Sequence, residues 1–268
     1  MNRKCLMVLA VGFAALLYGP SAAVAQPLSS FAVLGGSTVT NTNTPTIVSG
    51  NLGVSPGSAV TGFPPGIVTG GTIHAADAVA AQAQNDLTTL YNRLAGASCN
   101  TDLTGQNLGG LTLTPGVYCF ASSAQLTGTL TLDGQGNPNA VFIFQIGSTL
   151  TTASASSVLL INGASSCGVF WQAGSSATLG TGTALAGSIV ALTSITLNTG
   201  ASVTGRALAR NGAVTLDDNH VTVCSGGPSL PGGPGFPAPV PTLSGWAMIV
   251  LTGLLVLFGL ATMRRRAA

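Results

Sequence analysis

The chain offers little of the chemistry that enzymes use. Its one acidic cluster beside a histidine is Asp217-Asp218-Asn219-His220. Such a cluster could hold a metal or exchange protons. It is also what a tight turn between strands requires, because Asp and Asn hydrogen-bond their own backbone and tolerate left-handed φ. The turn is the expected role. His74 precedes a helical segment without an evident partner, so a capping or surface role is expected. Arg206 and Arg210 flank an apolar run and could meet an acidic sugar, but no paired carboxylates accompany them for glycoside chemistry. Gly35-Gly36 and similar pairs fit turns and no phosphate-binding motif. No catalytic residue, metal site or cofactor is expected.

Composition points the same way. The 268 residues include 8 Lys or Arg, 6 Asp or Glu and 2 His, so 5% are charged, against roughly 25% in an ordinary soluble domain. Arg3, Lys4, Arg264, Arg265 and Arg266 lie at the extreme ends. The body keeps Arg93, Arg206 and Arg210 against Asp77, Asp86, Asp102, Asp133, Asp217 and Asp218, a net of −3. Nucleic acid is excluded as a partner, since no basic stripe exists to neutralise phosphates. Disorder is excluded by low charge with 46% hydrophobic content. The 37 Gly, with abundant Thr, Ser and Asn, belong to an uncharged, turn-rich β protein.

The ends read as addresses. Residues 1–25 form a signal peptide: Arg3-Lys4, an apolar run from Leu6 to Leu17, then Ala23-Val24-Ala25 as a cleavage site. The competing reading is an uncleaved anchor. Residues 226–241 are a Pro/Gly linker, and 242–268 carry a single transmembrane helix. Trp246 to Met263 is uncharged over eighteen residues, about 27 Å of helix, and the following Arg264-Arg265-Arg266 place the C-terminus in the cytoplasm. Val240-Pro241-Thr242-Leu243-Ser244-Gly245-Trp246, the apolar helix and the Arg cluster resemble the IPTL-CTERM sorting signal of Gram-negative bacteria, with Val240 in place of Ile and Ala247 in place of Gly. The resemblance implies an exosortase-like sorting protease as a partner; a plain single-span anchor is the alternative. Either way the body, 26–225, is exported to the cell envelope, outer surface or medium. Cys99, Cys119, Cys167 and Cys224 remain after signal removal, an even number with three possible pairings. Cys99–Cys119 and Cys167–Cys224 are favoured, the first closing the loop after a helix and the second tying the last turn back. A zinc site is the alternative, without a C-x-x-C or a nearby His pair to support it.

The body repeats. Thr178, Thr196 and Thr215 open similar segments 18 and 19 residues apart, and Leu150-Thr151-Thr152 begins a related one upstream. Short β-branched runs separated by Gly, Asn or Ser leave no room for helices. Three strands per turn, stacked about 4.8 Å apart, make a parallel β-helix, a solenoid. Alternation sends Leu179, Leu197 and Leu216 inward and Thr178, Thr196 and Thr215 outward. Only about 75–95 breaks the pattern, with apolar residues at the helical period, Ala83, Leu87, Leu90 and Leu94 among them. That segment is one long helix lying along a face.

Phe31-Ala32-Val33-Leu34-Gly35-Gly36-Ser37-Thr38-Val39-Thr40, Gly50-Asn51-Leu52-Gly53-Val54, Leu113-Thr114-Pro115-Gly116-Val117-Tyr118, Val141-Phe142-Ile143-Phe144-Gln145-Ile146, Val169-Phe170-Trp171-Gln172 and Gly205-Arg206-Ala207-Leu208-Ala209 closely resemble the DUF3494 ice-binding protein family. The resemblance spans roughly residues 28 to 223. It implies a mainly β fold, a right-handed, discontinuous parallel β-helix of triangular section with one long α-helix alongside. It also implies non-enzymatic binding to ice through a flat face carrying T-A/G-x-T/N-like motifs. Thr193-Ser194-Ile195-Thr196 matches with Ser second; Ser175-Ser176-Ala177-Thr178 and Ser148-Thr149-Leu150-Thr151 begin with Ser, and Gly212-Ala213-Val214-Thr215 lacks the first hydroxyl. The expected ice-binding residues are Thr151, Thr178, Thr193, Thr196, Thr215, Ser148 and Ser175, with Gln125 interrupting the row. The alternative is a non-enzymatic surface adhesin or matrix protein whose Thr/Ser/Asn faces bind glycans.

Overall fold

The computed structural model describes residues 28–42 and 45–224. The signal peptide, the linker and the C-terminal apolar helix expected from the sequence lie outside the described residues. Among the described residues no helix is long and apolar enough to cross a membrane.

Short apolar–polar alternation gives strands of mostly three to five residues, and each pairs in parallel with the same stretch of a neighbouring coil. Two sheets result. The seven-stranded sheet runs Ala124–Leu126, Leu150–Thr152, Ala177–Leu179, Ile195–Leu197, Val214–Leu216, Thr38–Asn41 and Ala59–Thr61. The fifteen-stranded sheet has two wings. Ala184–Ala191 and Ser202–Ala209 pass through both, their first halves in one wing and their last in the other. The bends fall at Gly187 and Gly205, with φ of 115° and 150°. A Cβ on Gly205 would lie 2.1 Å from the Gly187 carbonyl oxygen, so only glycine lets the coils stack there.

Among the described residues one α-helix, α1 (Ala78–Ala95), covers one wing. Its Ala83, Leu87, Leu90 and Leu94 are buried against Phe31, Leu34, Ile143, Phe170, Val190 and Leu208. The helix starts at Ala78, later than the periodicity indicates, because Asp77 caps it: its carboxylate accepts from Ala80 N–H at 2.8 Å. His74 turns that carboxylate into place, with Nδ1 2.7 Å from Asp77 Oδ2 and Nε2 2.9 Å from Thr72 Oγ1. Partial burial opposes ionisation of Asp77, but the bonds from Ala80 and His74 hold its carboxyl below the usual range. The cap's stability is therefore present above the ordinary Asp range and lost as pH falls through the lowered native value.

Inside the coils, Tyr118, Phe144 and Trp171 stack with centroids 5.5 and 4.0 Å apart, and Trp171 Nε1 donates to the Ala186 carbonyl at 3.0 Å. The expected ladder of Leu179, Leu197 and Leu216 is fully inward. It ends in polar residues. Asn41 follows Leu216 in register and is buried.

The stack does not follow chain order. Val214–Leu216 is followed by Thr38–Asn41, and His220–Thr222 pairs with Ile47–Ser49. One coil is thus shared: the end of the chain supplies Val214–Leu216 and His220–Thr222, and Phe31–Gly35 completes it from the start. A buried polar network closes this join. Asn219 donates to the carbonyls of Asn198 and Ala201 at 3.0 and 2.9 Å and accepts from Asp217 N–H. Its own N–H donates to Thr46 Oγ1 at 3.0 Å, and that hydroxyl donates to Asn41 Oδ1 at 2.7 Å. The disulfides are Cys99–Cys119 and Cys167–Cys224, the pairing favoured from the sequence.

Asn219→Ala strands several buried partners at once and is expected to cost about 2–4 kcal/mol, whereas His220→Ala at its exposed neighbour stays within about 0.5 kcal/mol. Denaturant unfolding of both variants checks this; equal losses would mean that the network does not hold the join.

Candidate functional site

The seven-stranded sheet alternates strictly. Leu150, Ala177, Ile195, Val214 and Val39 point inward and are buried, so the residue after each must point outward. The outward column is Gln125, Thr151, Thr178, Thr196, Thr215, Thr40 and Thr61, in unbroken register across all seven strands. Six threonines therefore stand in line, at rungs about 4.8 Å apart. The repeat in the sequence marks the four from Thr151 to Thr215 but not Thr40 and Thr61. Their signal was present in Ser37-Thr38-Val39-Thr40 and Ser58-Ala59-Val60-Thr61, which repeat the hydroxyl-x-x-Thr pattern. Chain order concealed it, since those segments lie far upstream of the coils they join.

A second outward column lies two residues earlier, about 6.7 Å away. It holds Ser123, Thr149, Ser176, Ser194, Ala213, Thr38 and Ala59, linked by backbone bonds such as Leu150 N–H to the Ser176 carbonyl and Ala177 N–H to the Ser194 carbonyl. Ser148, Ser175 and Thr193, expected from the motif, sit one residue further back, in the turn that borders the sheet. There Ser175 N–H bonds the Ser148 carbonyl at 2.9 Å and Thr193 N–H the Ser175 carbonyl at 2.8 Å, so they too form a row. Gly212 breaks that row for a packing reason: a Cβ would lie 2.3 Å from Ser194 Oγ and 2.5 Å from the Thr193 carbonyl oxygen.

None of the seven strands carries a charged residue. Among the described residues, the hydroxyls of Thr151, Thr178, Thr196 and Thr215 make no hydrogen bond to protein and are left for solvent. Side-chain bonds occur towards the ends, Ser123 to Thr149 at 2.8 Å and Thr61 to Thr40 at 3.2 Å. Thr is β-branched and stiff at χ1, so the array loses little rotamer entropy on ordering.

The other faces differ. One wing of the large sheet lies under α1. The open wing has the outward column Ile67, Ile47, His220, Ser202, Ala184 and Ser157, with Leu159 about half exposed beside it. That surface is irregular in size and polarity.

The residues weighed for chemistry are occupied in structure. Asp217-Asp218-Asn219 forms the turn between two strands, with Asp218 at φ 54°. Arg206 donates to the Ser29 carbonyl at 3.0 Å and to Ser188 Oγ at 3.2 Å, and burial lowers its pKa from the ordinary Arg value. Arg210 donates to Thr88 Oγ1 and lies over the Tyr91 ring, fastening α1. A shallow depression of about 320 Å³ beside Asn100, Asn137 and Asn139 is lined without a titratable side chain. No group of three or more metal-binding side chains occurs among the described residues.

Comparison with known proteins adds an independent finding. The ice-binding-like family matches residues 33–222, and the IPTL-CTERM motif matches residues 238–265. An ice-binding protein of Nostoc sp. (strain HG1) is 60% identical over 227 residues, covering 83% of each chain. Ice-binding protein 1 of Shewanella frigidimarina (strain NCIMB 400) is 37% identical over 239 residues, which are 78% of this chain and 27% of that one. Among solved structures, an ice-binding protein from an Antarctic biological consortium superposes with a TM-score of 0.70 at 49% identity, over 72% of this chain and 87% of that one. The ice-binding protein of the Antarctic ascomycete Antarctomyces psychrotrophicus does so with 0.72 at 42% identity, over 74% and 97%.

Restoring the absent hydroxyl by Gly212→Thr is expected to destabilise the protein by about 1–3 kcal/mol, because the new Cβ overpacks the turn. Thermal unfolding measures this; an unchanged or raised midpoint would show that the turn yields and that the gap has another cause.

Proposed function

The chain belongs to the ice-binding-like family, and from that premise we propose that it binds ice through the seven-stranded sheet, slowing ice growth or recrystallisation by adsorption. The observation that carries this reading is the unbroken line of Thr151, Thr178, Thr196, Thr215, Thr40 and Thr61. Each Thr presents a methyl and a hydroxyl on a stiff stem. Backbone pairing fixes their spacing in both directions of the sheet. Water held over such a grid can order before ice arrives, and no ion is present to bind its own hydration shell. Ser148, Ser175 and Thr193 extend the surface along its bordering turn.

The same reading takes the architecture as a right-handed, discontinuous β-helix of triangular section. The body acts without catalysis or cofactor. The IPTL-CTERM match supports handling by a sorting system, with an exosortase-like protease as partner, a C-terminal membrane helix before processing, and export to the outer surface or medium of a Gram-negative cell. A glycan-binding adhesin gains no support from the comparisons. That the match takes up 97% of the Antarctomyces psychrotrophicus chain supports treating the body as a unit by itself.

Purified 26–225 is expected to shape ice crystals and inhibit recrystallisation. Thr196→Tyr and Thr40→Tyr should each remove most thermal hysteresis while leaving thermal unfolding unchanged. Thr204→Tyr on the open wing should leave both intact. A Thr40 variant with full activity would confine the site to the four C-terminal rungs, and absence of ice shaping by the parent would end the proposal.

A further inference from the structure

The path of the chain fixes where the body is attached to its tail. Each coil runs from the seven-stranded sheet to the open wing, then to the helix-covered wing, then back, as Leu150–Thr152, Ser157–Ile161, Val169–Ala173 and Ala177–Leu179 do. Three edges separate these faces. Two border the hydroxyl-bearing sheet; the edge between the wings does not.

The last described residue lies on that far edge. Cys224 follows His220–Thr222 of the open wing, and its sulfur is 3.5 Å from Arg206 Nη1, just beyond the Gly205 bend. Its disulfide partner Cys167 lies in the connection between Ser157–Ile161 and Val169–Ala173, on the same edge. Arg206 also holds the Ser29 carbonyl, so both ends of the described body meet there. The disulfide and the Arg206 hydrogen bond, both at the Cys224 sulfur, thus hold the exit point.

The distance to the sorting motif is short. Thirteen residues separate Cys224 from residue 238, where the IPTL-CTERM match begins, a reach of at most about 50 Å. The hydroxyl-bearing sheet itself is about 29 Å long across its seven strands. The point of attachment biases which face is turned toward the supporting surface, because the edge that carries it stays nearest that surface.

We propose that the tail holds the body by the edge opposite its ice-binding sheet, so that a tethered copy presents the sheet outward and attaches the surface bearing it to ice. This rests on the ice-binding reading above. A freely diffusing ice binder has no need of such an arrangement, whereas a tethered one requires both contacts at once.

The test immobilises residues 26–237 on streptavidin beads through a biotin-acceptor peptide in three places: after residue 237, between Gln135 and Gly136, and between Thr199 and Gly200. Gln135 lies in an exposed turn on the far edge, between Thr129–Asp133 and Phe142–Ile146; Thr199 lies in an exposed turn bordering the hydroxyl sheet. Each protein is first measured free, as the fraction taken up by growing ice. Beads tethered at 237 or 135 are expected to adhere to ice alike, and beads tethered at 199 at least about tenfold less, although the free proteins are taken up equally. Should the insertion at 199 prevent folding, the equivalent exposed turn at Thr181-Gly182 replaces it. Equal adhesion from all tethers would overturn the proposal and leave ice binding standing. Failure of the free parent to enter ice would overturn both.

Discussion

The outward threonines depend on what their neighbours do inside. Leu150, Ala177, Ile195, Val214 and Val39 are each locked into the core by the coil above and below. A slip of one residue would turn that entire set to solvent and bury the hydroxyls without partners. The penalty is repeated at every rung, so register is specified many times over. A surface that must match a repeating lattice thus comes from the same interaction that makes the core.

The shared coil is where this specification is weakest, because its strands come from opposite ends of the chain. Apolar stacking alone would tolerate a displaced join, since one Val or Leu resembles another. Asn219, Thr46 and Asn41 do not tolerate it: each bond has a direction, and a shift by one residue would leave buried donors unpaired. Arg206 performs a related task at the edge, bonding one end of the chain through Ser29 and touching the other at Cys224. Three of the buried polar groups, Asn41, Thr46 and Asn219, therefore stand where apolar packing cannot choose among alternatives, and Thr40 reaches the line of Thr215 because they do.

Much of this was legible in the sequence, and the limits have physical causes. The 18- and 19-residue spacing of Thr178, Thr196 and Thr215 reports consecutive coils, where chain order and stack order coincide. Thr40 and Thr61 belong to the same line, but the periodicity cannot bridge the join, which is formed by long-range hydrogen bonds. The helix was evident from its apolar stripe; its start was not, because Ala75 and Ala76 carry the apolar pattern past the Asp77 cap. Gly212 reads in the sequence as a degraded motif and in the structure as a place without room for a side chain.

The scarcity of charge follows from the same geometry. A body whose coils bury their inward residues has only the outward positions of three faces on which to place ions. One wing is given to α1, which carries Asp86 and Arg93; Asp102, Asp133 and Arg206 lie in strands of the large sheet, and Asp77, Arg210, Asp217 and Asp218 in turns. Arg206 and Arg210 are engaged by Ser29, Ser188, Thr88 and Tyr91. What remains is a sheet whose free groups are hydroxyls and methyls at fixed spacing. An ion on one strand would impose its own hydration shell on the neighbouring rungs, which lie well within its unscreened range of about 8–10 Å. An uncharged strand composition is therefore required of the whole sheet once any part of it is to order water as a lattice.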